Sequence, residues 1–349
     1  QVSRLEKKLN SCFENKEYYE AHQICRTLFY RLSSAGKYDE LLSLLEKGSL
    51  KLIEVKEYGS AYDLAETYSD TLVKSLTPFN QEKLISIGKI FIGLPPTIDD
   101  NLEDGKDRRV KFIATCVKWT QLVSSRPSHC ARGHPSLHSL FARRLFSEGS
   151  VEMARSHFML SDDPEEFGSF MYDWYVRGEI VEKTKEEWIL APVLQLSCLR
   201  RIRFASRLLS SYMKHSSPSS SPPYSSSNIT HFSWLLLKII PTKNVTYYSA
   251  LVSKFKSLLS SDETILPYLD QIGQLYFGVE QKSQGGGLFG NLLKGLMGPQ
   301  EEKKQLPSSD SEDEPQKMTD VESSLFKSEL ALILKSDAPV MEQVDDDLD

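Results

Sequence analysis

Histidine and cysteine side chains cluster at one place in the sequence, in a pattern that could bind a metal ion. Four potential ligands lie within ten residues: His129, Cys130, His134 and His138. The last two have the i, i+4 spacing that places two imidazoles on one face of a helix. A zinc protease of this kind needs a glutamate between its histidines, and none lies there. Pro135 indicates a helix start, which favours capping and packing roles for these histidines over a metal site.

Two other patterns resemble catalytic motifs without the context that such motifs need. The glycines of 285–290 match G-x-G-x-x-G, but the preceding residues 281–284 are polar and do not form the strand of a dinucleotide site. The paired carboxylates Asp99–Asp100 and Asp162–Asp163 precede predicted helices, where acidic residues are usually caps. The sequence therefore predicts a non-catalytic protein without a cofactor.

Cysteine usage and hydropathy predict a cytosolic protein. The five cysteines are odd in number and form no C-x-x-C pair, which fits a reducing compartment. The longest apolar run, Trp234–Ile240, contains a lysine. It is far shorter than the roughly 20 residues of a membrane span. We expect a soluble chain with no direct membrane span.

Charge is unevenly distributed along the 349 residues. The chain has a net charge of −6, and residues 300–349 contain 15 acidic and 5 basic residues, so the preceding part is only about +4. This excess is too small to predict a nucleic-acid partner. Ser308, Ser309 and Ser311 precede acidic residues and fit an acid-directed kinase, although most such tails are simply solvated.

The elements that would position any functional side chain are helices. Tyr18, Tyr38 and Tyr58 lie twenty residues apart, and each follows a polar turn and opens an amphipathic segment. Gly36 is a predicted helix stop. The first full repeat has a buried stripe at helical spacing, formed by Ala21, Ile24, Cys25, Leu28 and Leu32. The predicted fold is all-α, an α-solenoid of stacked helical hairpins of TPR-like type, which typically binds other proteins.

The rest of the chain is predicted as further helices, a mobile loop and a tail. Helices are expected over 164–177, 182–200, 200–214, 229–240, 245–260 and 262–278, and the Ser/Pro-rich residues 216–227 form the loop. Residues 299–349 are expected to be mostly disordered, with a short helix in Val321–Leu334. The predicted domains are the solenoid halves 1–150 and 151–282, followed by a Gly-rich amphipathic segment and the disordered acidic tail in 283–349.

Two segments have side chains suited to docking. His22, Arg26 and Phe29 share one helical face, which is either a solvated flank or a surface for an acidic partner. A second segment has an apolar stripe at helical spacing, formed by Leu288, Phe289, Leu292, Leu293, Leu296 and Met297. Docking of this segment on the body or on a partner is favoured over binding to a membrane surface.

Several stretches resemble the Get-four family, called TRC-thirty-five in animals. Residues 18–31 (YYEAHQICRTLFYR) resemble its opening repeat, and residues 286–298 (GGLFGNLLKGLMG) look like the animal form. Further matches are GHPSLH at 133–138, ARSHF at 154–158 and LDQIGQLYFGV at 269–279. The matches follow the family's order and span about residues 3–298.

The resemblance implies an α-solenoid adaptor in the guided entry of tail-anchored proteins. Its N-terminal half would bind a targeting ATPase of the Get-three (TRC-forty) type. The C-terminal half would bind a ubiquitin-like protein of the Get-five type and the Bag-six scaffold. By position, the ATPase-docking residues are Tyr19, His22, Arg26 and Phe29. The C-terminal partner-binding residues are Tyr268, Asp270, Gln274 and Phe277.

The resemblance also implies a role at the endoplasmic reticulum, where the complex delivers tail-anchored clients for insertion into the membrane. The family has a variable insertion near residues 216–227, with a short β-hairpin in some members, and that hairpin is doubtful here. The acidic tail is longer than expected for the family. The alternative function is that of a generic helical-repeat subunit in a proteasome-lid-like or coat-like assembly, which has the same architecture.

Overall fold

The computed structural model describes residues 2–96, 107–124, 131–178, 183–224, 228–279 and 318–336, and within them it contains helices and turns but no strand. The α-helices are α1 (Val2–Glu14), α2 (Tyr18–Ser34), α3 (Tyr38–Glu54), α4 (Tyr58–Ser75), α5 (Gln81–Gly93), α6 (Arg109–Val123), α7 (Pro135–Ser147), α8 (Val151–Phe158), α9 (Pro164–Val176), α10 (Lys185–Trp188), α11 (Leu190–Cys198), α12 (Ile202–Ser216), α13 (Asn228–Ile239), α14 (Val245–Lys254), α15 (Lys256–Leu259), α16 (Leu266–Phe277) and α17 (Asp320–Ser336). Short 3-10 helices occupy Ile240–Thr242 and Glu263–Ile265. The predicted all-α class is confirmed.

The twenty-residue repeat has a structural counterpart in the turns that end α1, α2 and α3. Lys16, Gly36 and Lys56 all have positive φ, at 61°, 69° and 63°. In each turn the next residue donates its N–H to the carbonyl five positions earlier, at 2.8, 3.0 and 2.9 Å. This left-handed closure satisfies the last carbonyls of each helix and reverses the chain. The predicted register, and Gly36 as a helix stop, are therefore confirmed.

Consecutive helices at the start of the chain pack against one another and bury one stripe each. α2 contacts both α1 and α3, and α3 contacts α4. The described core of α2 consists of the predicted residues Ala21, Ile24, Cys25, Leu28 and Leu32. Each is at most 5% exposed. Removal of these apolar side chains from water is the main stabilisation of the stacked hairpins.

A buried arginine joins the start of α6 to the end of α7. The Arg109 side chain has no exposed surface, and its Nη2 lies 2.6 Å from the Asp107 carboxylate and 2.7 Å from the Glu148 carboxylate. Its guanidinium also lies over the Phe91 ring, 4.9 Å from the centroid. Burial lowers the pKa of Arg109, but the two carboxylates outweigh it and raise the pKa above its ordinary value, so the buried charge is kept and compensated.

The described residues fall into two compact units, which divide between Asp162 and Asp163. In the second unit, most of the predicted helices are present, but the stretch predicted as 182–200 is divided into α10 and α11, and 245–260 into α14 and α15. Residues 217–224 contain turns and no strand, so the described part of the Ser/Pro-rich loop has no β-hairpin. The assignment of separate partners to residues 1–150 and 151–282 stays a prediction.

The acidic tail contains an ordered helix. α17 extends from Asp320 to Ser336 and includes the predicted segment Val321–Leu334. It packs against α14 and buries Phe326, Leu330 and Ile333. The helix is confirmed, but its packing against the body was not predicted. The rest of the tail, and the amphipathic segment 288–297, lie outside the described residues.

Candidate docking surfaces

The predicted ATPase-docking residues of α2 lie beside α4, and an acidic residue of α4 binds two of them. His22 Nε2 lies 2.7 Å from Asp63 Oδ2, and Arg26 Nη1 lies 3.6 Å from the same oxygen. Arg26 Nη1 also donates a hydrogen bond of 3.2 Å to Thr67 Oγ1. The Asp63 side chain is 39% exposed and that of Arg26 is 33% exposed. The two groups are therefore oriented by α4 and still accessible to a partner.

Aromatic rings surround the Arg26 guanidinium. Its Cζ atom lies 5.8 Å from the centroids of both Phe29 and Tyr30. Phe29 and Tyr30 contact each other edge to face, with centroids 5.2 Å apart. Tyr30 is 59% exposed, and Tyr19, near the start of the same helix, is 74% exposed. Exposed aromatic rings beside an arginine are typical of protein–protein contact sites.

We call this surface the α2–α4 patch: Tyr19, His22, Arg26, Phe29, Tyr30, Asp63 and Thr67. The structure brings all four predicted α2 residues to it and adds Tyr30, Asp63 and Thr67, which the sequence reasoning missed. The twenty-residue repeat indicates that α2 and α4 are equivalent helices two units apart, but it does not indicate which of their polar residues meet. His22 pairs with Asp63 and Arg26 with Thr67 across a constant separation of 41 residues. Ser33 and Lys74 have the same separation and also form a hydrogen bond, of 2.9 Å.

An ion pair continues this acidic side of α4 toward α6. Lys111 Nζ lies 2.5 Å from Glu66 Oε2, and the Glu66 carboxylate raises the pKa of Lys111. The polar side chains of the α2–α4 patch can form hydrogen bonds and ion pairs with carboxylates and hydroxyls of a partner. These groups suit recognition of a charged protein surface, because they lie on the rigid faces of packed helices.

The predicted C-terminal residues lie on α16 with unequal exposure. Phe277 is 9% exposed and stacks face to face on Tyr248 of α14, with ring centroids 4.5 Å apart. Tyr268 is half-buried and its hydroxyl accepts a hydrogen bond of 2.8 Å from Gln195 of α11. Asp270 and Gln274, at i and i+4, are also half-buried. Asp270 and Gln274 thus share one partly accessible side of α16, whereas Tyr268 contacts α11 and Phe277 packs in the core.

His134, from the cluster considered as a metal site, caps a helix. It precedes α7, and its Nδ1 accepts a hydrogen bond of 3.3 Å from the Ser136 backbone N–H. Its ring stacks on Phe79, with centroids 3.9 Å apart. This is the capping and packing role that Pro135 predicted.

His138 is buried and forms a pair with His157 of α8. The two Nδ1 atoms are 2.8 Å apart, and His138 Nε2 lies 2.8 Å from the Arg132 carbonyl oxygen. A carbonyl only accepts, so Nε2 of His138 carries the proton and its Nδ1 accepts from His157. Among the residues that the structure describes, no three possible ligands come together around a metal-sized space. His129 and Cys130 lie outside the described residues.

Comparison with known proteins decides the family. The family model described as Golgi to ER traffic protein 4 matches residues 35–298. The chain belongs to this family. The resemblance noted in the sequence is thereby confirmed. The match begins just after α2, so it does not include the α2 side of the α2–α4 patch.

Two curated members of the Golgi to ER traffic protein 4 family illustrate the extent of the similarity. The human homolog is 33% identical over 315 residues, covering 89% of this chain and 92% of its own length. The homolog from Oryzias latipes is 33% identical over 305 residues, covering 86% and 90%. The similarity therefore extends over nearly the full length of these relatives.

A solved family structure confirms the fold. The crystal structure of C. therm. Get4 has a TM-score of 0.70 to this chain at 20% identity and covers 88% of this chain and 99% of its own. At this identity the likeness shows the fold alone, and that fold is an α-solenoid. Within the described part of the chain, no helix has both the length and the apolar character that crossing a bilayer requires.

Proposed function

We propose that this chain is a non-catalytic, cytosolic adaptor for the delivery of tail-anchored membrane proteins to the endoplasmic reticulum. In this role it bridges a targeting ATPase of the Get-three type and a complex of a Get-five-type ubiquitin-like protein with the Bag-six scaffold. Family membership supports a role in the traffic that the relatives' name describes. The observation that carries the ATPase-binding step is the α2–α4 patch.

The patch has the properties of a protein contact site. Tyr19 and Tyr30 are large aromatic residues that the fold leaves 74% and 59% exposed. Between them, Asp63 contacts both His22 and Arg26, which reduces the side-chain entropy that these two residues lose on binding. An aromatic pair around an oriented arginine is the kind of cluster that contributes most of the binding energy of an interface.

The second proposed contact uses the C-terminal unit. Asp270 and Gln274 of α16 are half-buried and partly accessible on one side of the helix. Tyr268 is half-buried as well and lies where α16 meets α11. We assign this surface to the ubiquitin-like partner and Bag-six. The segment with Leu288, Phe289, Leu292, Leu293, Leu296 and Met297 is a further proposed partner contact, and it lies outside the described residues.

The test measures the affinity of purified Arg26→Glu protein for the targeting ATPase by titration calorimetry. The substitution removes the cation between the aromatic rings and places a second carboxylate beside Asp63. Loss of such a residue costs about 2 kcal/mol, which corresponds to roughly 30-fold weaker binding. Binding of the ubiquitin-like partner should be unchanged.

Arg31→Glu is the matched control, since it makes the same charge change on the same helix at an exposed position outside the patch. It should bind the ATPase like the unsubstituted protein. If both variants lose affinity equally, the effect is one of overall charge. If Arg26→Glu binds normally, the docking surface lies elsewhere on the chain.

A further inference from the structure

The tail helix α17 lies antiparallel to α13 in a defined register. Three side-chain pairs join the two helices: His231 with Glu329, Trp234 with Phe326, and Lys238 with Glu322. The Lys238–Glu322 ion pair and the His231–Glu329 contact both have N–O distances of 3.3 Å, and the two rings meet edge to face with centroids 6.5 Å apart. In each pair the two residue numbers have the same sum, so the three contacts belong to one continuous helix–helix interface.

The side of α17 that faces the body is apolar and has acidic residues at its edge. Phe326, Leu330 and Ile333 recur at i, i+4 and i+7 and are 6%, 8% and 0% exposed. The opposite side exposes Val321 and Leu332, at 70% and 54%. Lys238 of α13 pairs with Glu322, so charge as well as shape selects this orientation. Burial lowers the pKa of His231, so its contact with Glu329 is a polar contact of a neutral imidazole.

The α17 contact is small compared with that of a helix of the repeat. α17 has 17 residues and three buried apolar side chains, whereas α4 has 18 residues and six buried apolar side chains. A helix of this length is marginally stable alone in water, so α17 depends on its docking. Residues 280–317 separate α17 from the end of the preceding described segment. Its side chains rather than a short connection therefore determine where it binds.

We propose that α13 and α14 form a binding groove for an acidic amphipathic helix, that α17 occupies it within the chain, and that a partner helix of the same pattern displaces α17. The pattern is an apolar stripe, formed by Phe326, Leu330 and Ile333, with Glu322 and Glu329 along one edge of it. Trp234 of α13, which Phe326 of α17 contacts, is only 4% exposed with α17 in place. The inference stands on these contacts and does not depend on the proposed ATPase site.

The experiment measures binding of a fluorescein-labelled peptide of residues 318–336 by fluorescence anisotropy. The full chain is compared with its Phe326→Asp/Ile333→Asp variant, in which α17 is undocked. The variant should bind the peptide at least about tenfold more tightly, because the tethered helix no longer competes at its high effective concentration. Circular dichroism verifies that the helical content outside α17 is kept.

Two controls make the comparison specific. Val321→Asp/Leu332→Asp adds the same two negative charges to the exposed side of α17 and should bind the peptide as weakly as the unsubstituted chain. A Glu322→Lys peptide should bind the undocked variant weakly, and Lys238→Glu in that variant should restore its binding. Equal peptide binding by the full chain and the undocked variant, or binding by neither, would overturn the proposal.

Discussion

Mild acid is expected to destabilise the first unit through His157. Its Nδ1 lies 2.8 Å from Nδ1 of His138, and its ring packs edge to face on Phe141. Burial, together with the charge that His138 can acquire, lowers the pKa of His157 to about 3 from an ordinary 6.5. The folded chain therefore keeps this imidazole neutral at pH values where the unfolded chain protonates it.

The sign and size of the effect follow from this pKa difference. Between pH 6.5 and pH 3 the unfolded state binds more protons than the folded state, so stability falls as the pH falls below 6.5. A single group with these two pKa values lowers the free energy of unfolding by about 2 kcal/mol between pH 7 and pH 5. That is a large part of the stability of a typical domain.

The perturbation is His157→Asn, which leaves a side-chain N–H for His138 and removes the titrating group. At pH 7 the variant should lose about 1–2 kcal/mol because the imidazole contact with Phe141 is gone. Between pH 7 and pH 5 the free energy of unfolding of the variant should fall by about 2 kcal/mol less than that of the unsubstituted chain. Hydrogen exchange of the α7 and α8 amides, corrected for intrinsic rates, measures this locally. Equal losses in the two proteins would refute the assignment of the acid sensitivity to His157.

Two further predictions concern stability. Arg109→Met should lower the free energy of unfolding by about 3 kcal/mol, because it leaves the Asp107 carboxylate without its buried cation and Glu148 with Arg144 alone. Thermal unfolding by circular dichroism should show a melting temperature about 10 °C lower. Positions 36 and 56 both have positive φ, which favours glycine. Lys56→Gly should therefore stabilise the fold by about 0.5–1 kcal/mol, and Gly36→Ala should destabilise it by about 1 kcal/mol. Urea unfolding measures both, and changes of the same sign would contradict this reasoning.

The repeat could be predicted from the sequence because its signals are local. The polar turn, the tyrosine that follows it and the apolar stripe all lie within one twenty-residue unit, and helical spacing converts them into a buried face. Lys16 and Lys56 occupy left-handed positions without being glycines, so the turns they form could be found only from the spacing, not from residue type. Gly36 forms the same kind of turn with glycine, the residue most common at this position, so this turn could also be predicted from residue type.

The contacts of the candidate sites could not be predicted because they join distant residues. Asp63 and Thr67 complete the α2–α4 patch from 41 residues away, and nothing near them distinguishes them from other polar residues of α4. The α17 helix was predicted, but its docking depends on pairs such as Lys238 with Glu322, which are 84 residues apart. Local pattern predicts a helix and its apolar face, whereas the surface that covers that face is decided by the tertiary fold.

The stacking of the first repeats explains why a polar patch forms where it does. Helices α2 and α4 are two units apart in the chain, so a twenty-residue period places equivalent faces of these helices side by side. The constant separation of 41 residues then aligns His22 with Asp63, Arg26 with Thr67 and Ser33 with Lys74. The same repetition that buries the apolar stripes therefore also aligns polar side chains on the outer surface. Tyr19 and Tyr30 remain exposed at this surface, and the fold thereby keeps a rigid, oriented and accessible contact site.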